Sequence, residues 1–434
     1  MYWLYTTLLG AGTLLASPYF LYKACTTEKY RHGLSQRLGR VPSEVVEGLA
    51  GQRPLWVHAV SVGEVMASLP LIKLIKATRP DLPIVVSAVT LTGHRTALRE
   101  LPRAEGVVYF PLDFPWTVAR ALDTLNPRCV CIVETELWPN FLRACGERAI
   151  PVLVLNGRIS DRSYPRYRRL RPFFRRVLAN VAAFGMRTPR DAERIRAIGA
   201  PAERVVVTGN LKYDQAVAGG NGARAEELRQ ALGITVGEPL LVAASTHPGE
   251  EDMVLEAFAD LREHYPKLRL LLVPRHPERF AEAESIIAKC GMAYRKWSAP
   301  PSSGAAPPPP VLLLDTMGEL TAAYPLASLV FIGGSLVPIG GHNALEAAAA
   351  GKATLFGPHM SNFQQEASDL LAAGGARQVE DANSLAVTCR ALLADPAALD
   401  AMGRAALEVA EAGRGAADKN LALLEPYLEL EAKR

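Results

Sequence analysis

The sequence predicts an α/β protein of two domains, each a parallel sheet covered by helices on both faces. Three observations carry this. A chain of 434 residues exceeds what one hydrophobic core usually holds. Short apolar runs alternate with helix-favouring segments, the pattern of repeated βα units. That alternation breaks once, at a Gly- and Ala-rich stretch from Ala216 to Ala223, and then starts again. Apolar residues at 49% and charged residues at 21% suit a folded chain and exclude a disordered one. Cys25, Cys129, Cys131, Cys145, Cys290 and Cys389 show neither metal-ligand spacing nor a secreted disulfide framework, so reduced thiols are expected.

Trp3 to Tyr22 carries no charged side chain, and 20 such residues are long enough to cross a bilayer. Aromatic residues sit near both ends, and Lys23, Lys29, Arg31, Arg37 and Arg40 follow, which by the positive-inside rule leaves the rest of the chain in the cytoplasm. A cleaved signal peptide is the competitor, weakened by the lack of a basic residue before the apolar run. Pro18 leaves room for a helix that only dips into the bilayer. Residues 1–23 are expected to be a membrane-anchor helix.

In the first domain, taken as 35–208, strands are predicted at Leu55–Val60, Ile84–Val89, Val107–Phe110, Arg128–Val133, Val152–Leu155 and Val205–Thr208. Ligands in such sheets bind beyond the carboxyl ends of the strands. The first strand runs into Ser61-Val62-Gly63-Glu64. This spacing fits a capping box, with Glu64 on the backbone of the helix start; it equally puts a carboxylate at the mouth of a strand-to-helix loop. His58 is assigned no role. Thr92, after the second strand, is placed to cap the next helix. Val133 leads into Glu134-Thr135-Glu136-Leu137-Trp138-Pro139-Asn140, two carboxylates at a strand end. Residues 156–176 hold eight arginines and one acid, with Tyr164, Tyr167, Phe173 and Phe174 between them. Anionic lipid or a phosphorylated ligand fits this run, Arg158 and Arg162 included, better than nucleic acid does.

Residues 209–237 read as an interdomain linker, containing Gly209-Asn210-Leu211-Lys212-Tyr213-Asp214. Lys212 is placed to face an anionic ligand or to pair with Asp214. The second domain, 238–420, opens with a strand at Leu240–Ala244 that ends in Ser245-Thr246-His247, where either hydroxyl can cap a helix or meet phosphate. Leu268–Val273 ends in Pro274-Arg275-His276, and Arg275 suits a phosphate or carboxylate. The low-complexity stretch 299–310 reads as a surface loop, after which Val311 resumes the sheet. Leu329–Ile332 is a buried strand followed by Gly333-Gly334-Ser335, Gly340-Gly341-His342-Asn343 and a helix from about Ala344 to Ala350. That helix start invites an anion, and Glu346 is placed to reach a ribose diol. His247, His276, His342 and His359 lack metal-ligand spacing, and no metal or other cofactor is expected. A last helix and tail fill 421–434.

The ordered motifs closely resemble those of the 3-deoxy-D-manno-octulosonic acid (Kdo) transferases of lipopolysaccharide synthesis. The matching runs are Ser61-x-Gly63-Glu64, Glu134-Thr135-Glu136-x-Trp138-Pro139-Asn140, Gly209-Asn210-x-Lys212-Tyr213-Asp214, Pro274–Arg279 and the glycine loop. The resemblance implies a GT-B fold: two Rossmann-like domains facing a cleft, on an N-terminal membrane anchor. It implies CMP-Kdo as donor, a phosphorylated lipid A precursor as acceptor, the cytoplasmic leaflet of the inner membrane as location, and no nucleic-acid partner. It makes Glu64 the base. It implies donor contacts at Lys212, Ser245, Thr246, Arg275, Met317, Gly318, Gly341, His342, Asn343 and Glu346, with the cytosine near Met317-Gly318. Acceptor contacts fall to Ser61, Gly63, Thr92, Glu134, Glu136, Arg158 and Arg162. Two departures stand out: Ala347 replaces the family's usual Pro, and 299–310 looks like an insertion. The enzyme alternative is a GT-B transferase using a UDP-sugar. The non-enzyme alternative is a membrane-tethered nucleotide-binding protein.

Overall fold

Runs such as Val-Cys-Ile-Val and Leu-Leu-Leu-Val expose no polar face, so they are stable only as central strands covered on both sides. The computed structural model describes residues 1–27, 32–101, 104–217, 222–235, 237–299 and 309–429. Lys29, Arg31, and most of the 299–310 stretch lie outside them. The chain divides into two units, Met1–Gln215 with Arg414–Arg434, and Ala216–Gly413.

The first unit holds β1 (Leu55–His58), β2 (Ile84–Ala88), β3 (Gly106–Tyr109), β4 (Cys129–Val133), β5 (Val152–Gly157), β6 (Ala183–Met186) and β7 (Val205–Val207). They form one sheet, ordered β3-β2-β1-β4-β5-β6-β7, with every neighbouring pair parallel. The second unit holds β8 (Leu240–Thr246), β9 (Arg269–Pro274), β10 (Tyr294–Lys296), β11 (Val311–Leu313), β12 (Leu329–Ile332), β13 (Ala353–Phe356) and β14 (Ala376–Gln378). Its parallel order is β10-β11-β9-β8-β12-β13-β14. Strand order reverses beside β1 and β4 in one unit and beside β8 and β12 in the other. Those switch points are where open α/β sheets hold ligands.

β6, β10 and β14 are additions to the predicted set. Ala-Phe-Gly-Met lacks the β-branched residues that mark a strand, and β10 and β14 are three-residue sheet edges. Residues 209–237 contain helices Leu211–Val217 and Gly222–Leu232. The helix Ala416–Leu428 packs on the first unit, where Leu421, Leu424 and Leu428 join the core of Val65, Leu69 and Ile72. Asp214 fixes its start: the Asp214 carboxylate accepts from Gly415 N and Ala417 N, each at 2.7 Å. Asp214 is thus engaged as a helix cap. The six cysteines are free thiols, and Cys129, Cys131, Cys145 and Cys389 are buried.

Tyr2–Thr26 forms one helix with Pro18 inside it. Its first turns dock on the first unit. Tyr5 Oη donates to Asp113 Oδ2 at 2.9 Å, and Thr6 and Asn140 exchange side-chain hydrogen bonds at 3.2 and 3.0 Å. Among the described residues no helix is long and apolar enough to cross a membrane. This corrects the expected spanning anchor. Thr6, Thr7, Gly10, Gly12, Thr13, Ser17 and Pro18 dilute the apolar run, and its root is tied to the protein by polar bonds.

Truncating the fully buried Leu424 tests the docking of the last helix. Leu424→Ala is expected to cost about 2–5 kcal/mol in urea denaturation of the first unit. A loss below about 1 kcal/mol would show that this helix contributes little to that core.

Candidate functional site

In the first unit, β1 and β4 release their chains side by side. After β1, Ala59-Val60-Ser61 leads into helix Val62–Thr78. Glu64 sits on its first turn, 9% exposed. Its Oε2 accepts from Val60 N at 2.7 Å, and its Oε1 from Ser61 Oγ at 3.0 Å. The capping box is therefore incomplete, because the Ser61 hydroxyl turns to Glu64 and leaves the helix N–H groups uncapped by its side chain. Burial, with help from Glu134, pushes the Glu64 carboxyl up to about 7; the Val60 and Ser61 bonds oppose this. After β4 come Glu134 and Glu136, both half-buried, and burial followed by Glu134 raises the Glu136 carboxyl as well. Thr135 Oγ1 accepts from Arg158 N at 2.9 Å.

The helix after β2 is capped by Thr90, whose Oγ1 accepts from Gly93 N at 3.0 Å. Thr92 is exposed in its first turn, which corrects its expected capping role. A Cβ on Gly93 would come within 3.2 Å of Ser61 backbone carbon, so a glycine there lets this loop close on the Glu64 loop. Gly63 and Arg162 are exposed, and Ser61 and Arg158 are half-buried. His58 is a core residue: it is fully buried, stacks on Phe110 at 3.8 Å and bonds Ser87 Oγ through Nδ1 at 2.9 Å. Sequence reasoning missed Arg187, a buried cation after β6 that pairs with Glu134. Lys212 also lies in this unit, 9% exposed.

In the second unit, the carboxylate of Glu250 organises the strand ends. It is fully buried. Its Oε2 accepts from His247 N at 2.9 Å and Gly334 N at 2.6 Å, and its Oε1 from Ser335 N at 2.9 Å and Leu336 N at 3.0 Å. One side chain thus joins the loop after β8 to the glycine loop after β12. Motif reading overlooked it because an acid in a helix's first turn is commonplace. The helix starts at Glu250 after Gly249, correcting the expected caps at Ser245 or Thr246. Thr246 Oγ1 instead donates to Glu251 Oε1 at 2.9 Å, which also takes Arg279 Nη1 at 2.6 Å. Ser245 has a left-handed backbone, φ 56°, a conformation disfavoured for a residue with a Cβ.

His342 meets His247, with Nε2 atoms 2.8 Å apart. Burial, with help from the Arg275 charge, lowers the His342 imidazole to about 3, so the ring is neutral at physiological pH. Asn343 Nδ2 donates to Glu346 Oε1 at 3.1 Å, and Asn343 Oδ1 accepts from Leu345 N at 3.1 Å. Burial raises the Glu346 carboxyl, while Asn343 and Arg275 oppose it. The structure brings Arg275, His342, Asn343 and Glu346 together. The helix behind them is only Leu345–Ala349, shorter than expected, so its dipole is weak. Met317 and Gly318 are exposed on the loop after β11. A cavity of ≈ 840 Å³ opens beside Gly340, lined also by Phe356, His359, Met360, Gln364 and Gln378. Among the described residues no group of three or more His, Cys, Asp or Glu side chains is arranged to hold a metal.

A family model described as 3-deoxy-D-manno-octulosonic-acid transferase (kdotransferase) matches residues 32–215. The chain is 32% identical over 406 residues to the 3-deoxy-D-manno-octulosonic acid transferase of Haemophilus influenzae, covering 92% of each. It is 36% identical over 402 residues to the Bordetella pertussis protein of the same name, covering 90% of this chain and 91% of that one. Its fold is similar to UDP-GlcNAc 2-epimerase from Neisseria meningitidis, with a TM-score of 0.60 at 14% identity, covering 86% of this chain and 100% of that one.

Two outcomes follow from the buried carboxylates. Glu250→Gln turns an amide N–H₂ against backbone donors whichever way it lies, and is expected to destabilise the second unit by about 2–4 kcal/mol. Unchanged thermal unfolding of that variant contradicts the organising role. Glu64 is raised from 4.5 to about 7 on folding, so its ionisation costs stability that is absent below pH 4.5 and fully developed above pH 7. Glu64→Gln should therefore stabilise the protein by about 3 kcal/mol at pH 8 and by almost nothing at pH 4. A gain independent of pH rules out the raised carboxyl.

Proposed function

Since the chain belongs to the 3-deoxy-D-manno-octulosonic acid (Kdo) transferase family, we propose that it moves Kdo from CMP-Kdo to a phosphorylated lipid A precursor in lipopolysaccharide synthesis. The observation that carries the mechanism is Glu64, a carboxylate poised near neutrality at the mouth of β1. A general base works best when its pKa lies near the operating pH.

The step is one inverting displacement. Glu64 takes the proton of the acceptor hydroxyl as its oxygen attacks the anomeric carbon. The bond from that carbon to the phosphate oxygen breaks, and CMP leaves with the electron pair. Arg275, the backbone around Gly341 and Ser245, His342 and Lys212 stabilise the charge gathering on phosphate. A neutral His342 serves as a hydrogen-bond donor there without a charge of its own. Asn343 and Glu346 hold the ribose, and the backbone of Met317-Gly318 meets the cytosine. Residues 35–208 serve the acceptor, through Ser61, Gly63, Thr92, Glu134, Glu136, Arg158 and Arg162. Residues 238–420 serve the donor.

The helix Tyr2–Thr26 exposes Trp3, Leu4, Leu8, Leu14, Leu15, Tyr19 and Tyr22. Helices Tyr164–Arg169 and Arg171–Leu178, on the same unit, carry six arginines, at 166, 168, 169, 171, 175 and 176. Apolar area beside cationic side chains suits attachment to the anionic cytoplasmic leaflet of the inner membrane, where the acceptor resides. The helix lies in that surface instead of spanning it.

The test is Kdo transfer to a tetra-acylated lipid A precursor, with CMP-Kdo generated in situ. Wild type is expected to transfer, and Glu64→Gln to be slower by about 10²–10⁴-fold with CMP binding retained. Activity should fall as pH drops below about 7, where the base becomes protonated. Equal rates in both proteins contradict the role of Glu64. Competition by UDP but not CMP contradicts the donor.

A further inference from the structure

Glu134 is held in a manner its motif does not reveal. It leaves β4 with φ 63°, a left-handed backbone that disfavours a residue with a Cβ. Its carboxylate pairs with Nη2 of Arg187. Arg187 follows β6, is 8% exposed, and donates through Nε to Asn156 O at 3.2 Å. Asn156, next to last in β5, is also left-handed at φ 56°, and its Oδ1 accepts from Leu211 N at 3.1 Å. One buried guanidinium thus ties the ends of three adjacent strands, β4, β5 and β6. Two strained residues persist on either side of it, and strain of this kind survives only where the surroundings fix it.

We infer that Arg187 and Glu134 are positioning residues for Glu64: the guanidinium fixes the Glu134 carboxylate, and with it a negative charge, beside the Glu64 carboxyl. The inference rests on reading Glu64 as the base. β1 and β4 are neighbours in the sheet, so the two strand ends cannot separate without breaking the register that pairs His58 with Ile132. The charged groups acting on Glu64 are Glu134 and, more weakly, Glu136. No charged group on the helices packed against Val62–Thr78 is among those that shift Glu64. His94 stacks on Tyr109 at 4.3 Å, Arg99 pairs with Glu100, and Glu429 pairs with Arg79. A fixed anion makes Glu64 hold its proton more tightly, so the captured acceptor proton is retained while CMP departs. Glu134 does this in addition to its acceptor contact, and Arg187 does it through Glu134 without touching substrate.

The experiment is kcat/KM for the acceptor against pH in wild type, Glu134→Gln, Glu136→Gln, Arg187→Lys and Glu64→Gln, with CMP-Kdo as donor. Glu134→Gln is expected to move the acidic limb down by about one pH unit. Glu136→Gln moves it less. Arg187→Lys keeps the cation but cannot bridge Glu134 and Asn156 O together. It should leave KM for CMP-Kdo unchanged and lower kcat about tenfold, since small misplacement of a reacting group is costly. A limb unmoved by Glu134→Gln, or moved further by Glu136→Gln, overturns the inference while an inactive Glu64→Gln leaves the base in place. Should Glu134→Gln fail to fold, Arg187→Lys decides, and wild-type kcat in it overturns the positioning role. An active Glu64→Gln across the pH range removes the base and this inference together.

Discussion

A carboxylate taken out of water must find backbone N–H groups, a cation or a proton. This protein uses all three, and the choice made at each strand end decides what that residue does. Glu250 finds four N–H groups and becomes the clasp of the glycine loop. Glu251 and Glu134 find arginines, Arg279 and Arg187, and become fixed charges. Among the described residues Glu64 finds one N–H and one hydroxyl and no cation, and so it retains a proton up to about pH 7. The difference between a scaffold carboxylate and one that titrates near neutrality is the completeness of the partner set.

The sheets supply the places where that choice matters. Each unit reverses its strand order once, and the functional loops leave the sheet on either side of that reversal. In the first unit they follow β1 and β4; in the second, β8 and β12. Backbone strain gathers at two of these points, at Glu134 and Ser245, and on the neighbouring strand at Asn156. The two sites differ in electrostatic character. The first concentrates acids against one buried guanidinium. The second sets Arg275 beside the lowered imidazoles of His247 and His342. The proposed proton acceptor and leaving-anion site call for these opposite surroundings, one in each unit.

Much of this was legible from residue order. The central strands announce themselves by Val, Ile and Leu runs, and the carboxylates and glycine pairs fall at their ends. The resemblance to Kdo transferases rested on the same residues and is matched by relatives along nine-tenths of the chain. What stayed hidden depends on distance in space. Arg187 and Glu134 lie 53 residues apart, and Glu250 and Gly334 lie 84 apart, so no local pattern joins them. β6 escaped because Ala183-Phe184-Gly185-Met186 is a strand only by its place in the sheet. Thr90 displaced Thr92 as a cap, within the usual uncertainty of helix starts. The run 3–22 has the uncharged length to span a bilayer, but its threonine, glycine and serine content leaves no described helix long and apolar enough to do so.

The claim on which the chemistry turns is that Glu64 keeps its proton near neutrality in the folded protein. The direct measurement is an isotope-edited titration of glutamate side-chain carboxyl carbons by NMR, with Glu64→Gln used to assign its resonance. The account predicts a midpoint near pH 7 for Glu64. A midpoint near the ordinary glutamate value of about 4.3 would contradict it.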